Sequence, residues 1–121
     1  MSLAELRTPI ARRWPFADLF KVDGVQYTPF PRSVVPSDLD GVVHLRNPDR
    51  FLFLEGKREG EREMSSAQRE LLESLAKAHD VLIFWAKDNE IIGLEHVGHD
   101  PCRREASNLD FVQFCANWSE R

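Results

Sequence analysis

The sequence predicts an α/β domain: a mixed β-sheet flanked by helices. Three observations predict it. Two strand-like segments face each other across a Pro-containing turn, "DGVVHL" at Asp40–Leu45 and "FLFLEGK" at Phe51–Lys57. A segment with helical spacing then follows, with Leu71, Leu72, Leu75 and Ala78 on one side. After it comes "VLIFWAK", an apolar run long enough for a strand covered on both faces and too short for a buried helix. A strand, a helix and a second buried strand in that order commonly give a sheet with a crossover.

The elements can be justified in chain order. Ala4–Arg13 has helical composition broken near Pro9, with Trp14, Phe16, Leu19 and Phe20 as apolar anchors, and Pro15 prevents a continuous helix. Asp23-Gly24 is a hairpin-turn dipeptide between Phe20–Val22 and Val25–Tyr27. Pro29, Pro31 and Pro36 make 28–36 an extended connector. Asn47-Pro48-Asp49 turns the main hairpin. Ser65, followed three residues later by Gln68, has the pattern of a capping box and opens a helix over Ala67–Ala78. Asp88-Asn89 turns "VLIFWAK" into "EIIGLEHV", "GHDPCRREAS" reads as a loop, and "NLDFVQFCANWSE" reads as a last helix. Its expected apolar face is Leu109, Phe111, Val112, Phe114, Cys115 and Trp118.

Composition sets limits. The chain has 121 residues, enough for one modest core, and reads as a single domain. Its net charge of −4 argues against binding nucleic acid through bulk positive charge, although arginines cluster locally. No apolar run is long enough for a bilayer, and the N-terminus lacks a signal-peptide core, so the expected location is the cytoplasm with no membrane partner. Cys102 and Cys115 have no metal-ligand spacing and read as two reduced thiols.

The main hairpin carries the chemistry. A register centred near Pro48 sets Asp40 opposite the Glu55–Lys57 end of the second strand. Alternation puts Glu55 and Lys57 on one face and Gly56 on the other. Two neighbouring carboxylates repel unless a cation lies between them. A hard divalent ion, Mg²⁺ or Mn²⁺, takes such oxygen ligands and can activate water against a phosphodiester. A lysine beside it can orient that water or neutralise charge developing on the phosphate.

An acid on one strand and Glu-x-Lys on its hairpin partner resembles the signature of the PD-(D/E)xK, or restriction-endonuclease-like, nuclease superfamily. The order of elements is similar to that family's α-βββ-α-β core, with an extra strand and a C-terminal helix. Within it the chain most resembles the small VRR-NUC and Holliday-junction-resolvase-like members. Glu55-Gly56-Lys57 is the only acid-x-Lys triplet around the four lysines, and it ends an apolar strand. No proline precedes Asp40 and no VRR motif is present, so the subfamily stays open.

The resemblance implies a metal-dependent nuclease acting on nucleic acid, DNA before RNA. Asp40 and Glu55, with the Gly56 carbonyl, would hold Mg²⁺ or Mn²⁺. Lys57 would be the catalytic lysine and Gln68 an accessory active-site residue, a role that its capping function leaves open. Asp38 and Glu5 are weaker candidate acids. Arg46, Arg58 and Arg62 are the expected substrate contacts, well placed for backbone phosphates. A homodimer cutting one strand per protomer suits so small a nuclease. The alternative is a catalytically inactive domain of the same fold that binds nucleic acid or a protein. Outside this set, His44 reads as a structural or surface histidine and Trp85 and Trp118 as core aromatics. His96 and His99 flank Gly98 without a third ligand in register, which argues against a metal there.

Overall fold

A computed structural model of the chain describes residues 21–26, 39–61 and 64–120. The chain divides into two units, Met1–Asp38 and Leu39–Arg121. The expected first helix and the proline-rich connector lie outside the described residues, as do Glu5, Asp38 and Arg62. In the first unit, β1 (Lys21–Val22) pairs antiparallel with β2 (Val25–Gln26). Asp23 and Gly24 turn between them with φ of 51° and 77°. Left-handed angles at both central positions define the tight hairpin turn that Asp-Gly favours.

The second unit is built on β3 (Gly41–Leu45), β4 (Arg50–Arg58), α1 (Ser66–Ala76), β5 (Asp80–Lys87), β6 (Glu90–His96), β7 (Arg104–Glu105) and α2 (Asn108–Ser119). The strands form one mixed sheet in the order β3-β4-β5-β6-β7. Only β4 and β5 run parallel, and α1 is the crossover between them. The other neighbours are antiparallel. Asp88 and Asn89, with φ of 50° and 64°, close the tight β5–β6 turn. Two strands of this sheet precede α1, while β1 and β2 form a sheet of their own. The two residues of β7 lie inside the segment expected to be a loop. They are short and polar, so no periodicity marks them.

Alternate residues of β4 and β5 face opposite helices. On one face Leu52, Leu82 and Leu94 pack with Trp118 of α2, joined by Leu54, Phe84, Phe111 and Phe114. On the other face Val81, Ile83 and Val97 pack with Leu72 of α1, joined by Phe53, Leu75, Ala76 and Trp85. Cover on both sides explains the unbroken apolar run of β5. At a sheet edge, β3 leaves Val42 and Val43 exposed.

The apolar face expected for α2 is too wide. Leu109 and Val112 are 64% and 60% exposed. Phe111, Phe114, Cys115 and Trp118 carry the contacts with the sheet. At 100° per residue those four form a narrow stripe, and Leu109 and Val112 fall outside it. Cys102 is exposed, Cys115 is half-buried, and both are free thiols. His44 is exposed, bonded to Asp49 at 2.8 Å and stacked on Phe51. No helix among the described residues is long and apolar enough to cross a membrane.

Candidate functional site

The β3–β4 ladder runs from Gly41↔Leu54 to Leu45↔Arg50, one step tighter than a register centred on Pro48. One further step sets Asp40 opposite Glu55. The Asp40 side chain turns to the next residue, where Oδ2 accepts the Gly56 N–H at 2.6 Å. Glycine is required there by contact. A Cβ on residue 56 would sit 2.5 Å from Phe84 Cζ and 3.2 Å from Asp40 Oδ2. The Phe84 ring therefore fills the space on the α2 side of Gly56, while Glu55 and Lys57 project toward α1.

Burying a carboxylate is costly unless hydrogen bonds and opposite charge replace its water. Glu55 is only 5% exposed, flanked on the parallel side by Ile83 of β5. Gln68 answers it from α1, donating from Nε2 to Glu55 Oε1 at 2.9 Å. The same amide accepts from Lys57 Nζ through Oε1, also at 2.9 Å. An acid on one side and an ammonium on the other fix which way the amide points. Lys57 Nζ stands 3.7 Å from Glu55 Oε1. That is an ion pair but not a hydrogen bond.

Helix capping places Gln68. Ser65 is the N-cap, and its Oγ accepts the Gln68 backbone N–H at 3.1 Å. This is half of the capping box expected from the sequence. In a full box the Gln68 side chain would return to the Ser65 backbone; here it reaches the sheet instead. Gln68 shares a helical face with Leu72, Leu75 and Ala76, so the buried stripe of α1 ends in a polar group.

Arg69 continues this polar end. It holds both carboxylate oxygens of Glu95, which is 3% exposed, through Nη1 at 3.0 Å and through Nη2. Its Nε donates to Glu73 at 3.0 Å. The Glu95 hydrogen bond, opposed by burial, raises the Arg69 guanidinium further above its ordinary range. Ile83 pairs with Glu55 on one side and Glu95 on the other. Two buried acids on the strands flanking β5 are thus met by consecutive residues of one helix. Sequence reasoning missed Arg69 and Glu95. The available signal was an arginine at the head of the apolar stripe of α1.

Beyond Lys57 the surface opens into a cavity of about 390 Å³ lined by Lys57, Arg58, Glu59, Gly60, Glu61, Met64, Trp85 and Arg103. Arg58, expected as a substrate contact, lies in its wall. Arg103 lies over the Trp85 ring, 4.9 Å from its centroid, a cation–π arrangement. Trp85 thus has a half-buried ring beside the cavity as well as a place in the core. Arg46 is elsewhere. It occupies the β3–β4 turn, at the far end of the hairpin, where five residues of β4 at about 3.3 Å each separate the turn from Glu55. The structure therefore groups Glu55, Lys57 and Gln68 directly, joins Asp40 to Gly56, sets Arg58 at the adjoining cavity and leaves Arg46 apart.

The two histidines near the end of β6 acquire a neighbour that sequence spacing could not show. Asp80, the first residue of β5, bonds His96 across the sheet. Burial lowers the His96 imidazole from its ordinary value, only partly offset by the bond to Asp80. Asp80 and His96 lie toward α2, on the opposite face of the sheet from Glu55 and Lys57, while His99 also lines a cavity with Arg69, Glu73 and Ala76 on the α1 side.

No family model, curated protein or solved structure matches the chain.

Proposed function

We propose that this protein is a metal-dependent nuclease that hydrolyses phosphodiester bonds, with DNA as the favoured substrate. The observation that supports this most strongly is the relay Glu55–Gln68–Lys57. A buried acid and an ammonium are held by one amide beside an open cavity lined by Arg58 and Arg103 as well as by Glu59 and Glu61. A pair serving stability alone would gain most by direct contact, and buried ion pairs are poor sources of stability in any case. An amide placed between them instead holds the lysine at a set position.

The donor set suits a hard divalent cation. Asp40 and Glu55, with the Gly56 carbonyl, would hold Mg²⁺ or Mn²⁺, which prefer carboxylate and carbonyl oxygens. Such an ion supplies charge stabilisation at a phosphate oxygen and activation of water. The protein's own groups supply the rest. Lys57 sets a positive charge where negative charge develops on the phosphate, and its remaining N–H donors can orient water. Gln68 fixes the position of that charge through Nζ. Arg58, in the cavity wall, is suited to backbone phosphate, a contact that positions a strand without reading its sequence.

The test is incubation with branched, duplex and single-stranded DNA, and with RNA, in Mg²⁺ or Mn²⁺. Cleavage is expected, with Lys57→Ala abolishing it while the circular dichroism spectrum is kept. If Lys57→Ala cuts at the wild-type rate, the assignment fails. Binding without cleavage by the unmodified protein would favour an inactive domain of similar fold.

A further inference from the structure

We propose a second metal site, for a zinc-class ion, formed by Asp80, His96 and His99. It stands independently of the nuclease reading, because it uses none of the same residues. The ligating atoms of these three side chains all lie within 4.8 Å of one another. Among the described residues they are the only three His, Cys, Asp or Glu side chains so grouped. His96 Nε2 is 3.0 Å from Asp80 Oδ1. Two ligands on a tetrahedral ion with bonds of about 2.0–2.2 Å stand about 3.3 Å apart, so little movement separates this pair from a coordinating one.

The surroundings hold the groups in place. The Trp118 indole Nε1 donates to one Asp80 oxygen, Oδ2, at 2.8 Å, and the other, Oδ1, faces His96. Such an outer hydrogen bond orients a ligating carboxylate. The His96 ring is packed edge-on by Phe114 and stacked on His99, with centroids 3.8 Å apart. The segment carrying His99 is fixed by its backbone. The N–H groups of His99 and Asp100 both donate to the His96 carbonyl, the His96 N–H donates to Asp100 Oδ2, and Gly98 supplies a φ of 84°. His99 is exposed, which gives an ion a path from solvent.

Two imidazoles and one carboxylate suit borderline ions such as Zn²⁺ and leave a fourth position open, whereas Mg²⁺ prefers oxygen alone. Among the described residues, the Arg50 guanidinium opposes the ion. Arg50 lies 3.8 Å from Asp80 Oδ2, on the Trp118 side of the carboxylate, where it is held by the Trp118 carbonyl and ring. Coordination there would tie together the start of β5, the end of β6 and the segment leading to β7.

The test is calorimetric titration of the metal-stripped protein with Zn²⁺, together with the visible spectrum of the Co²⁺ form. One equivalent should bind, excess Mg²⁺ should not displace it, and Co²⁺ should give the intense bands of a four-coordinate site. His99→Ala, an exposed position that does not support the core, should weaken binding by about tenfold or more, and so should Asp80→Asn. Glu55→Gln should leave it unchanged. Absence of saturable Zn²⁺ binding would overturn the proposal, as would binding that His99→Ala does not affect. A sulfur-to-metal charge-transfer band would do the same, by placing the ion on Cys102 or Cys115.

Discussion

Lys57 Nζ stands 3.7 Å from Glu55 Oε1 because Gln68 occupies the hydrogen-bonding position of each. Removing that amide should let the ammonium approach the acid directly. Under the nuclease function proposed above, Gln68→Ala should lower the cleavage rate about tenfold or more, the usual scale for loss of an orienting partner. Stability should fall by about 1–3 kcal/mol, since a buried carboxylate loses a donor. Cleavage measured well below the melting temperature separates the two effects. An unchanged rate would make Gln68 a packing residue only.

Gly56→Ala is expected to cost about 1–3 kcal/mol, the typical penalty for overfilling a packed site. The new methyl would meet the Phe84 ring at 2.5 Å and crowd Asp40 Oδ2. Chemical denaturation measures the cost. A loss below about 0.5 kcal/mol, within the range of neutral surface changes, would mean that Phe84 can turn aside.

The Arg69–Glu95 pair should respond asymmetrically. Arg69→Met strands a carboxylate that is 3% exposed, at a cost of about 3–5 kcal/mol. Glu95→Gln leaves Arg69 with its bond to Glu73 and should cost only about 1 kcal/mol. The double variant should recover part of the Arg69→Met loss, because the stranded charge is gone. Urea unfolding of the three variants decides it. Glu95→Gln as the worse single change would mean that burial of the Glu95 carboxylate does not dominate the pair.

Acid stability should carry a contribution from the cap of α2. Asp110 accepts the Ser107 backbone N–H at 2.7 Å and the Ser107 hydroxyl at 3.1 Å. The backbone bond first, and the hydroxyl second, lower its carboxyl below the ordinary value of 3.8. With the folded value depressed, the unfolded chain binds the proton more readily. The contribution is therefore complete above the ordinary value and is lost as pH falls through the depressed one. Asp110→Asn should flatten that part of the stability–pH curve. A curve with the wild-type slope between pH 5 and the acid limit would refute this.

Much of the frame follows from short stretches of sequence. Asp23-Gly24 and Asp88-Asn89 specify turns through their tolerance of left-handed backbone. Ser65 starts α1 through a bond to a residue three positions on. Alternation alone sets Glu55 and Lys57 on one face with Gly56 on the other, and the tight turn of the hairpin brings Asp40 to that end of the strand. Each of these depends on neighbours a few residues apart, where chain geometry leaves few choices.

Tertiary structure decided the partnerships between distant elements. The sequence by itself flagged Gln68 but could not say whether its side chain would return to Ser65 or cross to the sheet. It placed His96 and His99 three residues apart and could not supply Asp80, which arrives only when β6 pairs with β5. Nothing along the chain links Arg69 to Glu95; the β4-β5-β6 order does so by setting Glu95 beneath α1. Leu109 and Val112 looked like core until the narrow contact of α2 left them in water. The physical reason is common to all four. Periodicity and turn chemistry act along the chain and define an element and its faces. Which buried charge meets which donor depends on strand order and on how a helix is seated, and both are set by the packing of the whole core.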